Sequence, residues 1–146
     1  MNERYIRQTM IPEIGEAGQE KLKNAKVLIV GIGGLGSPIS IYLTAAGVGQ
    51  IGLIDDDIVS KSNLQRQILY TETEIGQSKV ECACRRLSAL NSSTRFETYP
   101  NRFTSDNADR LVSAYDIIID GCDNAATRYL IDDVCSRFKK PYVYGS

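Results

Sequence analysis

Apolar residues along the chain fall into short dense runs, and between the runs they recur every three or four positions. The runs from Lys26 to Val30, Gln50 to Asp55, Arg95 to Tyr99, Tyr115 to Asp120 and Tyr142 to Gly145 read as strands. Leu35, Ile39, Leu43 and Ala46 share one face of a helix that follows Gly34 and ends near Gly47, with Pro38 tolerated in its first turn. Val80, Ala83, Leu87 and Leu90 mark a second helix, and Leu111 and Val112 a short third one beginning near Ser105. Leu130, Val134 and Phe138 mark a fourth, following Asp123. A polar stretch from Glu16 to Ala25 predicts a separate N-terminal helix. Strands alternating with helices predict an α/β domain whose parallel strands are joined by crossover helices. Right-handed crossovers favour the strand order 3-2-1-4-5 of a Rossmann-like sheet.

The first run ends in Gly31-Ile-Gly33-Gly34-Leu-Gly36, a G-x-G-x-x-G turn between strand and helix. The first glycine permits the tight turn, the second lets backbone approach a phosphate, and the third packs helix on strand. The helix start offers free amide donors and a positive dipole end to an anion. Asp55 follows at the spacing of a ribose-binding carboxylate, about twenty residues on. In the predicted order, strands one and four lie side by side while their helices leave to opposite faces. A ligand crevice then opens at their carboxyl ends, shared by the glycine turn and Asp120-Gly-Cys-Asp-Asn124.

Composition narrows the classes. The 146 residues, 42% hydrophobic and 24% charged, suffice for one core and leave little room for a second domain. A net charge of -1 gives no general reason to expect nucleic acid or an anionic membrane as partner. No apolar run approaches the roughly 18 residues of a membrane span, and no signal-peptide core opens the chain, so a cytoplasmic location is the default. Four cysteines without a C-x-x-C pair, and no histidine, argue against a zinc site within the chain.

Further motifs are Glu3-Arg-Tyr-Ile-Arg-Gln8, Gly18-Gln-Glu-Lys-Leu22, Ser62-Asn-Leu-Gln-Arg-Gln67 and Gly76-Gln-Ser-Lys79. With the glycine turn and Asp120-Gly-Cys-Asp-Asn124, they make the whole chain resemble the ThiF/MoeB-type adenylating domains of the ubiquitin-activating superfamily. The resemblance implies ATP and magnesium as cofactors. It implies that the C-terminal Gly-Gly carboxylate of a ubiquitin-like sulfur-carrier protein of thiamin or molybdopterin synthesis is joined to AMP, with a slight lean to thiamin. By the same resemblance Arg66 and Lys79 contact phosphates, and Asn63 and Gln67 position them. Ser62, Gly34 and Asn124 join the ATP site, Asp55 binds ribose and Asp123 holds magnesium. It further implies a homodimer in which Arg7 reaches the partner's nucleotide site. Members of the family continue for about half a domain past the last strand. Residues 1–146 are thus expected to be the N-terminal part of a truncated adenylating domain, weakly active alone, with any zinc motif or thiolester cysteine in the part beyond.

Plainer readings compete. Asp123 could simply cap the fourth helix, and Asp55 could cap a strand end. Asp56 and Asp57 read as solvated loop charges, and Cys122 as buried filler. A nicotinamide-dependent oxidoreductase shares the glycine turn and Asp55, but the absence of histidine removes the commonest proton donor for hydride transfer at a carbonyl. A non-catalytic scaffold of the same superfamily should have lost some of these polar residues.

Overall fold

The computed structural model describes residues 2–145. Six α-helices occur in chain order among the described residues: α1 (Ile6–Thr9), α2 (Gly15–Asn24), α3 (Gly36–Ala46), α4 (Lys79–Leu90), α5 (Ser105–Ala114) and α6 (Ala125–Phe138). Five strands, β1 (Lys26–Val30), β2 (Gln50–Ile54), β3 (Arg95–Tyr99), β4 (Ile117–Asp120) and β5 (Tyr142–Tyr144), form one parallel sheet in the expected order β3-β2-β1-β4-β5.

The central strand explains the two-sided core. Val27 and Ile29 point to one face, where α3 and α4 pack Ile39, Val80, Ala83 and Leu87. Leu28 and Val30 point to the other, against Leu111 and Val112 of α5 and Ile131 and Val134 of α6. A strand buried on both faces reads as a continuous apolar run, which is why β1 stands out in the sequence.

Three strand ends differ from the sequence expectation. β2 stops at Ile54 because the Asp55 carboxylate turns back to accept the Ile32 N–H at 2.8 Å and the Asp57 N–H at 2.9 Å. β4 begins at Ile117, not Tyr115: the Asp116 carboxylate accepts the Lys26 N–H at 2.9 Å, where a strand carbonyl would otherwise sit. β5 stops at Tyr144, and the next carbonyl, of Gly145, accepts from Arg128 at 3.3 Å.

Helix α3 buries small polar residues as well as apolar ones. Ser37, Ser40 and Thr44 are buried against the sheet, while Ile39 and Ile41 are half-buried and Tyr42 is 75% exposed. Ile39, Ile41 and Leu43 still pack against the core, and Tyr42 is the exposed large side chain of the helix. Ahead of α2, the turn Glu3–Tyr5 and α1 are too short for periodicity to reveal. A polar knot fixes them: Gln8 and Gln19 both donate to the Ala46 carbonyl, and Asn91 donates to the Tyr5 hydroxyl at 2.8 Å.

Candidate nucleotide site

The glycine turn is built as its spacing predicts. Gly31 has φ +89°, a left-handed conformation that disfavours a side chain. A Cβ at Gly36 would collide with the Gly31 carbonyl oxygen, so α3 can start only where a glycine permits it. Gly33 and Gly34 lie beneath side chains from the following loop: Gln67 Nε2 is 3.3 Å, and Arg66 Cδ 3.7 Å, from the place a Cβ would occupy. First-turn amides of α3 and this bare backbone make an anion cradle.

Above the cradle, at the carboxyl ends of the strands, opens a cleft of about 560 Å³. Gly31, Gly33, Gly34, Asp55, Asn63, Arg66, Gln67, Lys79, Asp123 and Asn124 all line it, so residues spread over most of the sequence meet in one place. Gly36 lies behind the wall as a packing residue. Ser62 also lies off the lining, and its carbonyl accepts from Arg66 Nη1 at 3.2 Å, aiming the guanidinium. Asn63 caps the short turn Lys61–Asn63 by accepting from the Ser60 N–H at 3.2 Å. Gln67 is 4% exposed, and its Oε1 has no hydrogen-bond partner among the described residues. A buried acceptor of this kind is satisfied by a donor from a ligand or water.

The loop from Asp55 to Ser78 closes on itself through an antiparallel bridge between Ile58 and Ser78. That closure sets Lys79 beside Asp57, with Nζ 3.0 Å from the carboxylate. Lys79 is buried, its amine aimed at the cleft; Asp57 is exposed. Asp56 pairs with Arg102 at 3.2 Å. Asp56 and Asp57 are exposed loop charges, as expected, and each in addition pairs with a cation that lines the cleft. Sequence reasoning passed over Asn101 and Arg102, although they follow the carboxyl end of β3, where the rule for open parallel sheets puts ligand-binding loops.

At the other wall, Asn124 and not Asp123 caps α6, its Oδ1 accepting from the Thr127 N–H at 2.9 Å. Relieved of capping, Asp123 is exposed and has no ion pair or hydrogen bond among the described residues. The neighbouring Asp120 is fully buried and engaged by Arg128, Tyr142 and the Cys122 N–H. Burial, and then Asp120 nearby, push the Cys122 thiol up to about 11, so it is an unreactive thiol at neutral pH. Among the described residues Asp123 is thus the cleft carboxylate without a partner, with an oxygen available to a hard cation, while Asp55, Asp56 and Asp57 form a second carboxylate group on the lining with ligand atoms within 4.8 Å of one another.

Arg7 does not line this cleft. Its helix docks at the carboxyl end of α3 through Gln8, while the cradle lies at the amino end, roughly 16 Å away along eleven residues. Ile6, Met10 and Ile11 beside it are exposed.

A glycine-cradled, cation-walled cleft at the point where a parallel sheet reverses its winding stands where Rossmann-like α/β folds take their ligands. The chain belongs to the ThiF family, whose model matches residues 5–146. It is 48% identical to a sulfur carrier protein adenylyltransferase of Thermus thermophilus over 99% of this chain and 53% of that protein. It is 52% identical to the adenylyltransferase and sulfurtransferase MOCS3 of Culex quinquefasciatus over 98% of this chain and 33% of the other. The chain therefore spans about half the length of the first relative and a third of the second. Among solved structures, the E. coli tRNA N6-threonylcarbamoyladenosine dehydratase TcdA in complex with AMP superposes with a TM-score of 0.90 at 30% identity, covering 97% of this chain and 57% of TcdA. No helix among the described residues is long and apolar enough to cross a membrane.

Proposed function

We propose that this chain is the ATP-holding part of an enzyme that adenylates the C-terminal glycine carboxylate of a ubiquitin-like sulfur-carrier protein. The observation that carries this reading is the charge layout of the cleft: Arg66 and Lys79 line it beside the glycine cradle, and Asp123 lines it without an ion-pair or hydrogen-bond partner among the described residues. A carboxylate and a triphosphate repel each other, so cations must hold the phosphates while the nucleophile is brought into line. The carboxylate oxygen attacks the α-phosphorus, the bond from that phosphorus to the β-phosphate oxygen breaks, and pyrophosphate leaves. Arg66, aimed by the Ser62 carbonyl, and Lys79, aimed by Asp57, hold phosphate oxygens. Asn63 and Gln67 add hydrogen bonds, and Asp55 keeps acceptor capacity for ribose hydroxyls while bracing the turn through Ile32. Magnesium held by Asp123, with Asn124 adjacent, would neutralise charge on the phosphates and the departing pyrophosphate.

The kinship with named sulfur-carrier adenylyltransferases supports this class of substrate over a nicotinamide reaction. The exposed Tyr42 of α3 and the exposed Ile6, Met10 and Ile11 support a homodimer. The distance of Arg7 from its own cleft fits a role in the partner's. The test is exchange of labelled pyrophosphate into ATP with the thiamin and the molybdopterin carrier in turn. Exchange that requires one carrier with an intact terminal Gly-Gly supports the proposal and names the pathway. ATP binding without carrier-dependent exchange in the full-length protein would instead favour a scaffold.

A further inference from the structure

The loop that carries Asp123 leaves β4 without regular secondary structure, yet both backbone polar groups of Cys122 are held. Asp120 Oδ1 accepts the Cys122 N–H at 2.9 Å, and Arg128 Nη2 donates to the Cys122 carbonyl at 3.0 Å. Asp120 and Arg128 are themselves joined, Nε to Oδ2, at 3.1 Å. The same guanidinium donates to the Tyr144 hydroxyl at 2.9 Å and to the Gly145 carbonyl at 3.3 Å, and it lies 4.5 Å over the Tyr144 ring. Tyr142 completes the group by donating to Asp120 Oδ2 at 3.0 Å. From its inner side the loop is blocked by the Gly31 backbone.

We propose that Arg128 is a positioning residue that fixes the Asp123 carboxylate over the phosphate cradle by clamping the Cys122 backbone to Asp120 and to the end of β5. The proposal rests on the reading of Asp123 as a magnesium ligand. Four differently directed N–H bonds need the planar fork of arginine, and a lysine ammonium cannot supply that pattern. In sequence Arg128 is one more charged residue on a helix; its role comes only from the packing of α6 against the ends of β4 and β5.

Two readouts separate this proposal from the function it serves. In Arg128→Lys, alkylation of Cys122 by iodoacetamide, resolved by peptide mass spectrometry, is expected to speed up at least tenfold, with buried Cys82 and Cys135 unchanged as reporters of the rest of the fold. Cys122 as protected as in the wild type overturns the proposal, whatever the nucleotide data show. Should Arg128→Lys open Cys82 and Cys135 as well, Tyr144→Leu removes one partner at an exposed site and is expected to raise Cys122 labelling alone about threefold; no rise overturns the proposal. By calorimetry, Arg128→Lys is expected to keep magnesium-free ATP affinity within threefold and to lose the enhancement given by magnesium. The double variant with Asp123→Asn is then no worse than Asp123→Asn alone, the signature of a shared pathway; full additivity contradicts the proposal. A wild-type chain that binds no ATP defeats the proposed function, while the thiol result still decides the role of Arg128.

Discussion

Gly31 and Gly121 pack backbone against backbone, so that a Cβ on Gly121 would lie 2.6 Å from the Gly31 carbonyl oxygen. This contact joins the loops that leave β1 and β4 and sets the width of the cleft between the cradle and Asp123. Gly121→Ala must push the loops apart. Overpacking of this kind costs about 1–3 kcal/mol. Urea denaturation is expected to show that loss, and calorimetry at least a tenfold weaker affinity for ATP. Unchanged affinity would mean the two loops do not share a ligand.

Lys79 separates function from stability. Its amine is buried and its partner Asp57 is exposed. Lys79→Met removes a desolvated cation and leaves a carboxylate that water can solvate, so stability should stay within about 1 kcal/mol of wild type. ATP affinity is expected to fall at least tenfold. Equal losses in both would make Lys79 a structural residue only.

The sequence made the glycine turn, all five strands and the longer helices legible because their signals are local: a run, a period, a spacing. Lys79, Arg66 and Asp123, which all line the cleft, stand out in the sequence through motif and not through their charge. What stayed hidden depends on contacts between distant segments. Asp57 reads with Asp56 as a solvated loop charge, and only the Ile58–Ser78 bridge shows that it meets Lys79. Arg102 needed the packing of the loop after β3 beside Asp56. The buried serines of α3 carry no such signal, because a helix is read from its apolar positions and small polar residues do not mark a buried face.

Tyr70 links the site to alkaline pH. Its hydroxyl donates to the Ile32 carbonyl at 2.6 Å within the glycine turn. Burial, reinforced by the Asp55 charge, raises its ionisation far above the ordinary value of 10.0. A group whose folded-state pKa is raised contributes stability that is full below the unfolded pKa and lost as pH climbs above it. Each such tyrosine removes up to about 1.4 kcal/mol per pH unit above about pH 10. Tyr115 and Tyr142 are raised in the same direction, chiefly by burial. Urea midpoints between pH 9 and 11 are expected to fall less steeply for Tyr70→Phe than for wild type. Parallel profiles would show that Tyr70 ionises freely in the fold.

The exposed side of α3 predicts self-association. Sedimentation is expected to show a dimer, and Tyr42→Glu, at a 75% exposed position, to shift it to monomer with an unchanged melting temperature. A monomer in the wild-type chain would remove the support that α3 gives to Arg7 acting on a partner.

The most direct test of the central claim is a titration of the chain with ATP and with NADH, each in the presence of magnesium, for wild type and Asp123→Ala. The account predicts that ATP binds, that Asp123→Ala weakens it at least tenfold only when magnesium is present, and that NADH does not bind. NADH binding without ATP binding, or an Asp123→Ala variant with undiminished magnesium-dependent affinity, would contradict it.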